Sequence, residues 1–198
     1  MFEVRIHGRG GQGVVTAAEM LALAAFDEGN RAQAFPSFGS ERMGAPVVSF
    51  CRIADREIRT REPVMEPDAL IVQDATLLHQ VDVFAGCRRD GFILINSARG
   101  FAELGLDELC KDFRRERLLT VPATELAREH TGRPVANAAL LGGFAALTGA
   151  ISIESVERAI RERFAGAGAV AEGNVAAARA ARTWVTDELK ELSGAASA

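Results

Sequence analysis

Apolar and polar residues alternate over Phe2–His7, with Val4 and Ile6 on one side, so the chain opens on a strand with one well-buried face. Ala69–Val72 and Phe92–Ile95 are nearly continuous apolar runs, the mark of central strands covered on both faces. The same pattern predicts strands over Arg31–Phe35, Pro46–Ile53, Glu57–Thr60, Ala69–Gln73, Gly91–Asn96 and Leu118–Val121. Helical periodicity predicts helices over Val14–Asp27, Leu77–Ala85, Leu106–Arg114, Thr124–Glu129, Asn137–Thr148, Ile153–Phe164 and an alanine-rich Asn174–Leu192. Alternation of this kind defines an α/β chain, expected as a three-layer α/β/α domain with a mostly parallel sheet. One antiparallel hairpin is expected, formed by Pro46–Ile53 and Glu57–Thr60 around Ala54-Asp55-Arg56. No repeat or interdomain linker is visible, so residues 1–192 are read as one domain and 193–198 as a flexible tail; Gly166–Gly173 is a second loose stretch.

The change from strand to helix after His7 is made by Gly8-Arg9-Gly10-Gly11-Gln12-Gly13. A strand, a glycine turn and a helix N-terminus together present unpaired backbone N–H groups and a positive dipole end, which is an anion cradle. The segment also satisfies G-x-G-x-x-G, the dinucleotide fingerprint. A site for NAD needs an acid near the end of the second strand, yet Arg31–Phe35 offers Arg31 and Gln33 and no carboxylate. Arg31 leaves an NADP reading open, and a purely structural role for the glycines in helix–sheet packing is the plainer alternative.

Further candidate chemistry lies beyond that loop. Phe35–Ala45 carries two aromatic residues, the adjacent Glu41 and Arg42, and glycines on either side of them. Arg42 can clamp a carboxylate or phosphate with Glu41 fixing its rotamer, or the two can form an exposed ion pair. Asn96-Ser97 ends a buried strand at the same sheet edge as the glycine loop, where open α/β sheets bind ligands. Asn137 opens an apolar helix, either as its N-cap or as a hydrogen-bonding group toward a ligand or interface. Gly142 and Gly143 inside that helix point to close approach of another backbone, from the first helix or a partner subunit. His7 either touches a ligand or satisfies a backbone carbonyl, whereas His79, His130 and the charged run Lys111–Arg117 read as solvated surface. No residue stands out as a nucleophile, general acid or general base, so no catalytic residue is assigned.

The glycine loop occurs in order with Ser37-Phe38-Gly39-Ser40-Glu41-Arg42-Met43-Gly44-Ala45-Pro46-Val47, Arg52-Ile53, Glu66-Pro67-Asp68 and Arg133-Pro134-Val135-Ala136-Asn137-Ala138-Ala139-Leu140-Leu141-Gly142-Gly143-Phe144. In this order and spacing the chain resembles the gamma subunit of the 2-oxoacid:ferredoxin oxidoreductases, the pyruvate synthase group, from Met1 to about residue 180. Ser40 stands where members often carry proline and Ala138 where they often carry threonine. The resemblance implies an enzyme that decarboxylates a 2-oxoacid on thiamine diphosphate, passes electrons through iron–sulfur clusters to ferredoxin, and gives the acyl group to coenzyme A. It implies partners of alpha, beta and possibly delta type that hold the thiamine and the clusters. This chain is then expected to bind no cofactor alone, to lack activity alone, and to shape the coenzyme A and substrate side. Gly8, Gly10, Gly11, Gln12, Gly13, Glu41, Arg42, Asn96 and Asn137 are its expected ligand or interface residues. An aromatic 2-oxoacid enzyme, using indolepyruvate or phenylglyoxylate, is the near alternative, and a stand-alone nucleotide-binding module the distant one.

Composition narrows the rest. A net charge of −4 gives no electrostatic case for nucleic acid. No apolar run approaches the roughly 18 residues of a membrane helix, and no leader segment is evident, so a cytoplasmic location is expected. Cys51, Cys87 and Cys110 are too far apart for a cluster or zinc motif, so free buried thiols and no metal are expected.

Overall fold

A computed structural model describes residues 1–37 and 43–195. Six strands, β1 (Phe2–Arg9), β2 (Arg31–Pro36), β3 (Pro46–Ala54), β4 (Ala69–Val72), β5 (Phe92–Asn96) and β6 (Leu118–Val121), form one sheet in the order β2-β3-β1-β4-β5-β6. β1, β4, β5 and β6 are parallel, while β3 runs antiparallel to both β1 and β2. The helices are α1 (Val14–Asp27), α2 (Asp107–Cys110), α3 (Ala123–Thr131), α4 (Asn137–Thr148), α5 (Ile153–Arg163) and α6 (Gly168–Ala195).

Alternate residues of the central strands supply two cores. Ala69 and Ile71 join Val4, Ile6 and the apolar faces of α1, α4, α5 and α6, whereas Leu70 and Val72 join Leu77, Val83, Phe101 and Leu104 on the other face. Helices therefore cover one face of an α/β sheet, and the other is covered by short helical turns and connecting chain. α4 is buried almost all round, under α6, which explains its lack of a polar face.

Several boundaries depart from the sequence pattern. Glu57–Thr60 is not a strand: β3 already has β2 on one edge and β1 on the other, so no edge is free for a hairpin partner. The antiparallel partners of β3 are instead β1 and the preceding strand β2, the latter running from Arg31↔Ala54 to Pro36↔Ser49. The segment after β3 is held from the side by Arg52, whose Nη2 donates to the Glu62 carbonyl at 2.6 Å and whose Nε donates to Glu3 Oε1 at 2.7 Å. Leu77–Ala85 shortens to a 3₁₀ turn, Ala75–His79, because Leu77 and Val83 are buried while residues 79–82 between them are exposed. Leu106–Arg114 shortens to α2, which has no buried residue to stabilise further turns. α6 instead begins earlier, absorbing most of the glycine-rich stretch before it, and continues through residues 193–195. Ala177, Ala178 and Ala181 are fully buried on it, so small side chains bring it close to α4.

Candidate functional site

The chain passes from β1 to β2 on one side of the sheet and later returns to β4 on the other side of β1. The carboxyl ends of β1 and β4 thus flank a topological switch point, the place where open α/β sheets form ligand crevices. The glycine segment lies there. Gly8 still belongs to β1, opposite Val47; Gly10 donates to the Ala45 carbonyl at 2.9 Å and accepts from Gly44 N at 3.1 Å; Gly11 abuts Met43. Gly13 is the N-cap of α1 with φ 73°, a left-handed backbone that strains any residue with a Cβ, and a Cβ there would lie 2.6 Å from Asn137 Nδ2. Among the described residues no side chain caps α1, and no acid occupies its first turn, so its positive end opens on a cleft of about 360 Å³ lined by Arg9, Gly10, Gly11, Gly13, Val14, Val15, Thr16 and Val47.

Charged hydrogen bonds hold the loop rigid. Gln12 accepts from Arg9 N at 2.8 Å and donates to Asp74 Oδ2 at 2.7 Å, so both ends of its amide are spent on the loop. Arg9 donates to Asp74 (3.1 Å), Thr76 (2.7 Å), Gln80 (2.9 Å) and the Gly44 carbonyl (3.0 Å). Asp74 also accepts from Thr76 N and Oγ1, capping the 3₁₀ turn. Burial raises the pKa of this carboxyl, but the hydrogen bonds from Thr76 and Gln12 and the Arg9 charge outweigh it and hold it below the ordinary value. Asp74→Ala is therefore expected to cost about 2–3 kcal/mol, a lost cap plus a lost charged hydrogen bond. Faster amide exchange over Gly10–Val14, with a lower urea midpoint, is the signature to measure; unchanged exchange would show that the loop holds its shape without Asp74.

The crevice floor is polar. Asn96 donates to the Gln73 carbonyl (2.8 Å) and Thr124 Oγ1 (2.7 Å) and accepts from Thr124 N (3.1 Å), tying β4 and β5 to α3. Asn137 is buried and reaches the Gly13 carbonyl at 3.5 Å, while its Oδ1 accepts from Ala138 N at 2.8 Å. The N-cap of α4 is Ala136, so Asn137 is not the cap but a tether between two helix starts. Glu41 and Arg42 lie outside the described residues. Gly10, Gly11, Gln12, Gly13 and Asn96 line the two cavities at this edge, Gly8 lies against Gln12 and Gln73 and Asn137 against Gly13, and the structure adds Arg9, Gln73, Asp74 and Thr124, which the sequence reading missed. Asp74-Ala75-Thr76 after an apolar run is a capping signal, and that signal was available.

His7 does not satisfy a backbone carbonyl among the described residues: it is buried with Nε2 unpartnered there. Burial, and secondarily the Arg5 charge, lowers its pKa to about 4. The unfolded imidazole binds more protons than the folded one between about 4 and 6.5, so stability rises with pH across that window and is lost on acidification. The full loss is about 3 kcal/mol. His7→Leu is expected to flatten the urea midpoint between pH 4.5 and 7; a persistent slope there would place the titration elsewhere. Cys51 is buried, and burial pushes its thiol up to about 12, while Cys87 and Cys110 are half-buried rather than buried. Among the described residues no group of three or more His, Cys, Asp or Glu is placed to hold a metal ion, and no helix is long and apolar enough to cross a membrane.

The insertion of β3 between β1 and β2 separates this chain from a dinucleotide-binding Rossmann domain, in which the acid-bearing second strand adjoins the first. What remains is an α/β chain with a hydrogen-bonded glycine loop at its switch point. Residues 3–184 match the family model described as Pyruvate ferredoxin/flavodoxin oxidoreductase. The chain is 52% identical over 161 residues to the pyruvate synthase subunit PorC of Methanosarcina barkeri, covering 81% of this chain and 85% of that protein. It is 48% identical over 181 residues to the pyruvate/ketoisovalerate oxidoreductases common subunit gamma of Pyrococcus abyssi, covering 91% and 95%. The crystal structure of pyruvate oxidoreductase subunit PORC from Thermotoga maritima superimposes with a TM-score of 0.76 at 34% identity, covering 92% of this chain and 95% of that one. The chain belongs to the pyruvate ferredoxin/flavodoxin oxidoreductase family, as a gamma-type subunit of a 2-oxoacid:ferredoxin oxidoreductase.

Proposed function

We propose that this subunit completes a 2-oxoacid:ferredoxin oxidoreductase and shapes the approach of coenzyme A and substrate, with Gly8–Gly13 and the Phe35–Pro46 segment as the contact elements. The observation that carries the proposal is the uncapped α1 N-terminus, set on a loop pinned by Arg9, Gln12 and Asp74 at the switch point. Backbone N–H groups and a positive dipole end favour an anionic group such as a diphosphate, and a rigid loop holds them without ordering cost on binding. Thiamine diphosphate, the iron–sulfur clusters and the reacting groups belong in this reading to alpha-, beta- and delta-type partners. Ferredoxin receives the electrons, and the assembly works in the cytoplasm. Residues 1–192 act as one gamma-type domain.

The purified chain alone is expected to show neither 2-oxoacid decarboxylation nor cluster absorbance. Anaerobic affinity purification from the source, followed by native mass spectrometry, is expected to recover it with larger subunits that carry thiamine diphosphate and iron–sulfur clusters. Turnover by the lone chain, or its recovery only as a monomer or homodimer, would sink the proposal.

A further inference from the structure

β2 is an edge strand, and among the described residues its outer side is open. The Ser37 N–H donates to the Val48 carbonyl at 2.8 Å, which places the bonded pairs of the β2–β3 ladder at Phe35↔Phe50, Gln33↔Arg52 and Arg31↔Ala54. The N–H and C=O groups of Ala32 and Ala34 therefore point away from β3, with no further strand to receive them. Pro36 offers only a carbonyl on that side. The opposite edge of the sheet is finished differently: Leu118, Leu119 and Val121 of β6 are buried, and Arg115 Nη1 donates to the Leu118 carbonyl at 2.6 Å. No residue of β2 is buried, and its centre, Ala32–Phe35, carries neither a charge nor a bulge, the usual protections of a bare edge.

An apolar flank adjoins this edge. Ala32 and Ala34 turn their methyl groups toward α1, and with Ala22, Leu23 and Phe26 they line a groove of about 390 Å³. Phe26 is 63% exposed. The edge is also complementary to itself. With two β2 strands antiparallel about a two-fold axis at Gln33, Ala32 of each copy stands opposite Ala34 of the other, and the N–H and C=O groups of both alanines are all met. An axis at Ala32 would call on the Asn30 N–H, already given to the Ala25 carbonyl at 3.1 Å, and an axis at Ala34 on the N–H that Pro36 lacks. Charge agrees with the axis at Gln33. Each exposed Arg31 faces the Phe35 ring of the second copy, where a cation meets a π face, while the two Arg31 residues stay about 13 Å apart along the seam. α1 lies over β2 and β3. On the joined sheet, with strands about 4.8 Å apart, the two α1 helices would stand about 10 Å apart, the spacing of packed helices, with Leu23 and Phe26 at their seam.

We propose that the β2 edge and the α1 flank above it are an isologous interface for a second copy of this chain, joining two six-stranded sheets into one. The proposal does not rest on the reading of the glycine loop, since β3 separates β2 from β1.

The test is sedimentation equilibrium of the full purified chain at micromolar concentration, where a dimer is expected. Ala34→Pro removes one outward donor and leaves the β2–β3 bonds in place, and is expected to weaken association about tenfold or more. Phe26→Glu, at an exposed position, is expected to do the same with an unchanged circular dichroism spectrum, which separates lost association from lost folding. Gln33→Cys sets a thiol on the axis opposite its own copy, and mild oxidation is expected to give a covalent dimer that neither the parent, with its three cysteines, nor Arg31→Cys gives. A monomeric chain, a dimer indifferent to both Ala34→Pro and Phe26→Glu, or equal cross-linking of Gln33→Cys and Arg31→Cys would overturn the proposal. Recovery of larger subunits from the source tests the proposed function, whereas self-association of the purified chain tests this edge alone.

Discussion

Gly142→Ala is expected to destabilise the chain by about 3 kcal/mol or more, the largest effect of a single methyl anywhere in α4. A Cβ at this position would lie 2.0 Å from the Ala178 carbonyl oxygen and 2.6 Å from its carbon, both backbone atoms of α6. Backbone cannot rotate aside as a side chain can, so α6 must move away from α4, loosening the interface that Ala177, Ala178 and Ala181 close. The helix-propensity gain of alanine over glycine, about 1 kcal/mol, offsets only part of this. Gly143 is the internal control, since a Cβ there would lie 3.3 Å from Val185 Cγ2 and 3.4 Å from Leu94 Cδ2, side-chain ends that can yield. Gly143→Ala is expected to change stability by less than about 1 kcal/mol, in either direction. In thermal unfolding the pair should differ by roughly 6–12 °C. Equal melting would mean that α4 and α6 pack less closely than described.

Arg5→Met is expected to destabilise by a similar amount, about 3 kcal/mol or more, for an electrostatic reason. Arg5 lies on the face of β1 opposite Val4 and Ile6 and is buried. Its guanidinium donates to the Val64, Met65, Val83 and Ala85 carbonyls, at 3.4, 3.3, 3.0 and 2.5 Å, and to Cys87 Sγ at 3.7 Å. Among the described residues no carboxylate takes part, so carbonyl dipoles compensate the charge there, and two separate connecting segments are fastened to the sheet by one side chain. Methionine keeps much of the packing and removes every donor, stranding buried carbonyls. Arg5→Lys should recover little, because an ammonium offers its donors from one point and cannot span two segments as the planar fork does. Urea unfolding of the three chains reads this out; a Met variant as stable as the parent would show that water replaces the guanidinium freely.

The close backbone approach expected at Gly142 and Gly143 is found at Gly142, where its partner is α6 within the chain and not the first helix, whereas Gly143 meets only side-chain ends. The correction is instructive, because a glycine reports that something comes close and carries no information about what. The hairpin failed similarly. Ala54-Asp55-Arg56 marks where β3 stops, and the alternation in Glu57–Thr60 resembles a strand, but pairing depends on which edges are free, and β1 and β2 had taken both. The loop residues Gly8, Gly10, Gly11, Gln12 and Gly13 were legible because their spacing is local. Asp74 was legible as a cap, but its hold on Arg9 was not, since 65 residues of chain separate the two.

By itself, then, the sequence determined the elements whose causes are local: apolar alternation in β1, continuous apolar runs in β4 and β5, the glycine turn into α1, and the ordered motifs that mark a gamma-type subunit. Tertiary structure alone decided the placement of β3 between β1 and β2, the closeness of α6 to α4, and which polar side chains at the crevice are satisfied and which is left over. The physical reason is one of range. Propensity and periodicity act over a few neighbouring residues, whereas strand edges, backbone clearance and hydrogen-bond satisfaction are settled only among residues that folding brings together from distant parts of the chain.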